Sequence, residues 1–402
     1  MDDKKVKIYV CGPTVYDVPH IGHGRSYVFF DVVRRYLEFL GYQVTLVTNF
    51  TDTEESITKR AHELGKQPTA LAEEMIRVFL KEMDQLGVKR ANVYPRVTEH
   101  ISDIIELTQQ LVQMGYAYTV DGEVFFDVKK AGGYGAVING PVEELVASEP
   151  SESASASLSG KRDPTDFALW RKDKPGEPSW ESPWGRGRPG WHIECSAMAT
   201  KYLGPMIDIQ GGGLDLIFPH HECSSLVCQA RFGKPFAKYY VHNGFITVNK
   251  QKMSKSKANF VTLREVLNKY DYQVVRFFLL RRDYREPLEY NDREMSDAEV
   301  KLKRIQVALN KTADTPTVVS GKECVEEEKN LINRLDEAKK GFIDAMNDDF
   351  NTEKAIGILL RASEHIEEFA RTCKQFTTKE TGERAKAICR QFNDVMGVCR
   401  KL

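Results

Sequence analysis

The chain has 402 residues, 41% of them hydrophobic and 29% charged, with a formal net charge of −1. That bulk supports two or three packed domains, and the near-neutral balance excludes a protein that coats nucleic acid over its whole surface. No apolar run approaches the roughly 18 residues of a membrane span, and Met1-Asp-Asp-Lys-Lys lacks the apolar core of a signal peptide, so a cytoplasmic protein without a membrane partner is expected.

In chain order, residues 7–10 form a short β-branched run that stops at Cys11-Gly-Pro, as a buried strand does. Phe29, Val33, Tyr36, Leu37 and Leu40 then recur at helical spacing, and Gly41 sits where a helix ends. Residues 42–47 read as a second strand. Strand, glycine turn, helix and strand make a βαβ unit, so the predicted fold is α/β, a doubly wound parallel-sheet, Rossmann-like catalytic domain whose phosphate-facing crevice follows the first strand. Residues 69–87 and 99–115 have the periodicity of amphipathic helices. Residues 116–190 break that pattern with Gly-Gly-Tyr-Gly, a Ser/Ala tract over 151–159 and a Pro/Gly/Trp-rich run over 174–190, which predicts an insertion carrying a flexible surface segment. Strand patterns return at 206–209 and 239–242, and past residue 296 the pattern is helical throughout. The expected domains are 1–115 and 206–245 for the two halves of the catalytic domain, 116–205 for the connective insertion, 246–296 for a basic loop region, and 297–402 for a C-terminal helical bundle.

Eight cysteines are too sparse for a disulfide scaffold and suit a reducing compartment. Cys11, Cys195, Cys223 and Cys228 stand as thiols or ligands, whereas Cys324, Cys373, Cys389 and Cys399 read as small buried hydrophobes. Between Arg231 and Arg285, 13 Lys and Arg residues face 3 acidic ones, a local excess that attracts phosphates.

Two motifs carry phosphate chemistry. His20-Ile-Gly-His23 lies between a predicted strand and a helix start, where free N–H groups and the dipole favour anions and Gly22 lets a ligand approach the backbone. Lys252-Met-Ser-Lys255-Ser256 supplies lysines and hydroxyls to close over a triphosphate. Alone, each is an ordinary pattern; in this order the pair resembles the class I aminoacyl-tRNA synthetases. A third set, Gly190-Trp-His-Ile-Glu-Cys195 and Phe218-Pro-His220-His221-Glu222 with Cys11, offers thiols and imidazoles that hold zinc if they converge in space.

These segments, with Tyr-Val-Cys-Gly-Pro-Thr-Val-Tyr-Asp at 9–17 and Asn-Asp-Asp-Phe-Asn-Thr at 347–352, resemble the cysteinyl-tRNA synthetase family from about Val6 to the end of the chain. The chain begins close to its Cys11 segment and stops within or just after the helical region, so the resemblance implies a shortened member. It further implies ATP held with Mg²⁺ by Gly12, His20, Gly22, His23 and Lys255, with His20, His23, Lys252 and Lys255 as the catalytic set. Cys11, Thr51 and Trp191 are implied to contact L-cysteine. One Zn²⁺ is implied on Cys11, Cys195 and His220. The family's fourth ligand is a glutamate four residues after that histidine, and here the position is Ser224. A site of three ligands completed by the substrate sulfur, and a fourth ligand supplied by Cys223, both fit the sequence. Thr53-Glu54-Glu55-Ser56 also departs from the usual Ile-Asp-Asp-Lys.

The expected activity is ligation of cysteine to tRNA(Cys) through cysteinyl-AMP, by a monomer. Two alternatives are a cysteine ligase that passes its adenylate to a small amine, of the mycothiol-pathway type, and a paralogue that binds RNA or cysteine without charging.

Overall fold

The computed structural model describes residues 4–138, 160–253, 259–313, 325–373 and 379–399. The Ser/Ala tract and Lys255 lie outside them. The chain forms two compact units: Met1–Val18, Gln43–Leu80 and Arg90–His242 make the first, and Pro19–Tyr42, Lys81–Lys89 and Asn243–Leu402 the second.

The first unit is built on a four-stranded sheet in the order β2-β1-β7-β8, with β1 at Lys5–Val10, β2 at Gln43–Thr48, β7 at Ile207–Gly213 and β8 at Ala237–Asn243. β1 runs parallel to both neighbours, with Tyr9 opposite Val47 on one side and Gln210 on the other. A central parallel strand is covered on both faces, which is why Ile8, Tyr9 and Val10 are all buried and the stretch reads as continuous rather than alternating. At its end the main chain passes so close to the Asn49 carbonyl that no Cβ fits at Gly12.

Four strands of this unit form a second, antiparallel sheet in the order β3-β4-β5-β6, at Ala117–Val120, Glu123–Phe126, Phe167–Lys172 and Gly187–Pro189. The sequence reading expected an insertion here but no sheet. Asp121 and Gly122, both at positive φ, turn the β3–β4 hairpin as a two-residue primed turn requires. Phe126, Leu169 and Trp170 join Ile104, Leu111, Ile193, Met198, Leu226 and Val227 in one core, which anchors the helices Trp191–Leu203 and Glu222–Phe232.

The second unit contains helix Ile21–Phe39, the β9–β10 hairpin at Ile246–Val248 and Gln251–Lys252, β11 at Leu288–Glu289, and helices Leu263–Lys269 and Tyr272–Leu280. Helices Asp292–Ala313, Val325–Asn347, Thr352–Cys373 and Lys379–Met396 follow. Cys373 is disulfide-bonded, where the sequence reading expected a buried thiol; Cys389 and Cys399 are buried and unbridged, as expected. Among the described residues no helix is long and apolar enough to cross a membrane.

Candidate active site and metal centre

Cys11 leaves the end of β1 with its N–H on the Gly211 carbonyl at 3.1 Å. Cys195 sits one turn into helix Trp191–Leu203, and His220 lies just before helix Glu222–Phe232. The three are buried, and their ligand atoms all lie within 4.8 Å of one another. The two sulfurs are 3.8 Å apart and His220 Nε2 is 3.3 Å from Cys195 Sγ. Two thiols and an imidazole at ligand-to-ligand separations are a donor set that suits zinc. The pair of thiols titrates unequally: the hydrogen bond from Cys11 and the nearby His220 pull Cys195 down, while burial and the charge on Cys195 push Cys11 up.

The other two residues weighed for this centre face elsewhere. The Ser224 hydroxyl donates to the His221 carbonyl of its own helix at 3.3 Å. Cys223 lies in the apolar core, with its sulfur 3.9 Å from the Tyr134 hydroxyl. Glu222, between the pair and these two, accepts the main-chain N–H groups of Gly135, Ala136, Val137 and Ile138.

Around the three ligands stands a shell that spacing did not reveal. His192 Nδ1 meets His220 Nδ1 at 3.2 Å, and Trp191 stacks on the His220 ring at 4.4 Å between centroids. On the other side His221 Nε2 lies 3.1 Å from Cys11 Sγ, and its Nδ1 lies 2.7 Å from His242 Nε2. Burial, aided by neighbouring imidazoles, holds His192 and His221 well below the usual histidine range, and burial takes His242 to about 4. Neutral rings in this order give one consistent set of tautomers: His242 Nε2–H donates to His221, and His221 Nε2–H donates to the Cys11 sulfur. Gln210 Nε2 also donates to that sulfur at 3.4 Å, leaving its Oε1 buried without a partner among the described residues.

Asn49, at the end of β2, joins this centre to the next polar group. Its Oδ1 accepts the Gly12 N–H at 2.9 Å and the Tyr9 hydroxyl at 3.0 Å, with Cys195 Sγ at 3.8 Å. Its Nδ2 donates to Thr51 Oγ1 at 3.3 Å.

In the second unit His20 caps helix Ile21–Phe39, and it does so reciprocally with His23. His23 N–H donates to His20 Nδ1 at 3.3 Å, His20 N–H donates to His23 Nδ1 at 3.1 Å, and the rings stack at 3.8 Å. Two helix-start donors are satisfied by imidazoles where serine and glutamate normally serve. With both Nδ1 atoms accepting, each ring carries its proton at Nε2 and presents a donor. Gly22 is needed there because a Cβ would lie 2.8 Å from the His20 ring. Leu263 N–H bonds the Pro19 carbonyl at 2.9 Å, and Ile21 N–H the Val261 carbonyl at 3.2 Å. Arg25, buried and lowered to about 10 by that burial, donates to the carbonyls of Phe245, Asp283, Tyr284 and Glu286. Lys252 Nζ lies 3.9 Å over the Phe245 ring. Residues on both sides of 254–258 are thereby tied to the corner that carries the two histidines, while Lys255 itself lies outside the described residues.

The model of the class I (C) tRNA synthetase catalytic domain matches residues 1–300, and a DALR domain matches residues 341–400. The cysteine–tRNA ligase of Thermococcus onnurineus is 49% identical over 373 residues, 91% of this chain and 76% of that protein. The cysteine–tRNA ligase of Clostridioides difficile is 44% identical over 99% of this chain and 83% of its own length. Among solved structures, methionyl-tRNA synthetase of Mycobacterium tuberculosis with methionyl-adenylate aligns at a TM-score of 0.68 and 17% identity, covering 98% of this chain and 90% of that one. A leucyl enzyme of Agrobacterium radiobacter aligns at 0.71 and 13% identity, covering 99% and 84%. At those identities the two structures speak for the fold, a parallel-sheet Rossmann-like core followed by helices.

Proposed function

We propose that this chain, which belongs to the class I (C) tRNA synthetase family, is a cysteine–tRNA ligase that forms cysteinyl-AMP from L-cysteine and ATP and passes cysteine to tRNA(Cys). The observation that carries the reading is the meeting of Cys11, Cys195 and His220 in one buried cluster, from segments some 200 residues apart. An amino acid named by its sulfur needs a group that tells sulfur from oxygen. Zinc on these three residues would supply a soft acceptor that binds a thiolate far better than a hydroxyl, separating cysteine from serine at the binding step. With Ser224 and Cys223 turned elsewhere, Cys11, Cys195 and His220 are the residues that would hold the ion among those described, and it would supply a soft acceptor for the substrate sulfur.

The chain's own residues divide the remaining work. Thr51, held by Asn49, orients the polar end of the amino acid, and Trp191 walls the pocket against His220. The substrate carboxylate attacks the α-phosphate of ATP, a bond to its oxygen forms, and pyrophosphate leaves with its bonding pair. His20 and His23 donate from Nε2 to phosphate oxygens as charge shifts toward the leaving group, with Gly12 and Gly22 giving close backbone approach. Lys252 and Lys255, with ATP-borne Mg²⁺, balance the same charge. The terminal tRNA hydroxyl then attacks the adenylate carbonyl and AMP leaves. A cytoplasmic monomer completes the reading.

Cysteine-dependent exchange of pyrophosphate into ATP, followed by an assay of cysteinyl-tRNA, tests it. Exchange and charging are both expected, with about one zinc per chain. Exchange without charging would transfer the reading to an amine-accepting ligase, and absence of exchange would reduce the chain to a binding protein.

A further inference from the structure

The hairpin that carries Lys252 turns on two residues in the left-handed region, Asn249 at φ 53° and Lys250 at φ 58°. Val248 pairs with Gln251 across it, so the loop has two residues and the backbone of a primed turn. The β3–β4 hairpin meets the same demand with Asp121 and Gly122. Asparagine tolerates the first position. At the second, a lysine stands where glycine is favoured, and its Cβ crowds the main chain in that conformation. The local sequence therefore does not favour this turn.

A neighbouring strand supplies the compensation. Strands β10, β9 and β11 form one sheet in that order, and the register sets Lys252, Thr247 and Glu289 side by side across it. The Glu289 carboxylate reaches the turn: the Lys250 N–H donates to its Oε1 at 3.2 Å and its Oε2 at 3.1 Å, and the Thr247 hydroxyl donates to Oε2 at 2.5 Å. A main-chain N–H that the hairpin ladder leaves over is thereby satisfied by a charge-assisted bond. That bond offsets the left-handed backbone at Lys250. Two residues further on, β10 presents Lys252, whose Nζ lies 3.9 Å over the Phe245 ring and whose carbonyl accepts from Asn259 Nδ2 at 3.3 Å. A slip of one residue in β10 would turn Lys252 to the opposite face of the sheet.

We propose that Glu289 is a positioning residue for Lys252: by fixing the left-handed turn at Lys250 it sets the register of β10, and with it the face on which the Lys252 ammonium is presented. The proposal rests on the reading of Lys252 as a group that balances charge on ATP. Glu289 acts through the backbone of the turn, so what it contributes can be replaced by a residue that takes that backbone unaided.

The test uses variants of the full-length protein, read by steady-state cysteine-dependent pyrophosphate exchange with melting temperature as a control. Glu289→Ala is expected to lower kcat by about 10-fold and to leave KM for cysteine within about twofold, because a misplaced charge is felt mainly in the transition state. Lys250→Gly alone is expected to keep exchange within about twofold of the wild type, and in the E289A background it should recover most of the lost kcat, since glycine adopts the left-handed backbone freely. An E289A that keeps the wild-type kcat, or a loss of kcat that K250G does not restore, would overturn the proposal; the second result would assign Glu289 to packing. Lys252→Met separates the proposal from the reading beneath it. Exchange should fall in K252M, and E289A should add little in that background. Full additivity of the two sinks Glu289 alone, whereas K252M with wild-type exchange sinks the reading of Lys252 and the proposal with it. Should E289A fail to fold, Glu289→Gln, which keeps an acceptor oxygen, is read the same way, with a smaller loss of kcat that K250G restores.

Discussion

At the scale of single residues, the thiol centre depends on imidazoles that hydrogen-bond its three residues from outside. His192 is the clearest case, since its Nδ1 lies 3.2 Å from His220 Nδ1, and by accepting a hydrogen bond from that N–H it selects the tautomer whose unprotonated Nε2 faces Cys195. His192→Ala is therefore expected to weaken zinc binding by about 10- to 100-fold with all three ligands present, read by competition with a chromophoric chelator. An unchanged zinc affinity would assign His192 to packing. The residues that hold the centre were legible only in part. Cys11 and Cys195 stood out as thiols in segments dense with Gly, Pro and Trp, and the choice of His220 over its neighbour came from the family resemblance. His192 and His221 sat in the same segments as unassigned neighbours, and His242 and Asn49 carried no signal beyond their types. Their roles follow from which ring nitrogen faces which atom, and spacing does not encode that.

At the scale of elements, the His20–His23 corner does two things with the same atoms. The Nδ1 atoms close a reciprocal cap on helix Ile21–Phe39, and this puts each ring proton on Nε2. His23→Ala should therefore cost about 1 kcal/mol of stability through the lost cap. It should also lower pyrophosphate exchange by at least about 100-fold. Urea denaturation and exchange kinetics on one preparation separate the two effects, and a variant that loses stability while keeping exchange would remove His23 from the chemistry. The helix start was readable from the sequence because glycine and a following apolar period mark it. The antiparallel sheet β3-β4-β5-β6 was not, although Asp121-Gly122 between short β-rich runs is the turn signal that marks its first hairpin. The glycines and serines around it obscured strands of three to six residues.

At the scale of the whole chain, the second unit gathers residues far apart in sequence around one buried ion pair. Arg276 and Asp31 are bonded to each other, with Arg35 bridging Asp31 at 2.7 Å, and Arg276 also donates to the Met396 carbonyl at 2.8 Å. Burial alone would raise the Asp31 carboxyl. Arg276 and Arg35, with the Lys89 N–H, outweigh it and hold the group below its ordinary 3.8. A carboxylate depressed in the folded state contributes stability above its unfolded value and loses it as pH falls through the folded one. The stability gap between the wild type and Asp31→Asn should accordingly be widest above about pH 5 and narrow below pH 4, followed by urea melts across that range. A gap that does not depend on pH would mean that Asp31 acts by packing. The sequence by itself determined the class of fold, the order of the two phosphate motifs and the cysteine and histidine types available for a metal, because periodicity and local turn chemistry act over a few residues. Only the tertiary structure decided that Cys11, Cys195 and His220 meet and that Ser224 and Cys223 turn away. Those outcomes depend on strand register and helix rotation set by packing between segments that the linear order keeps apart.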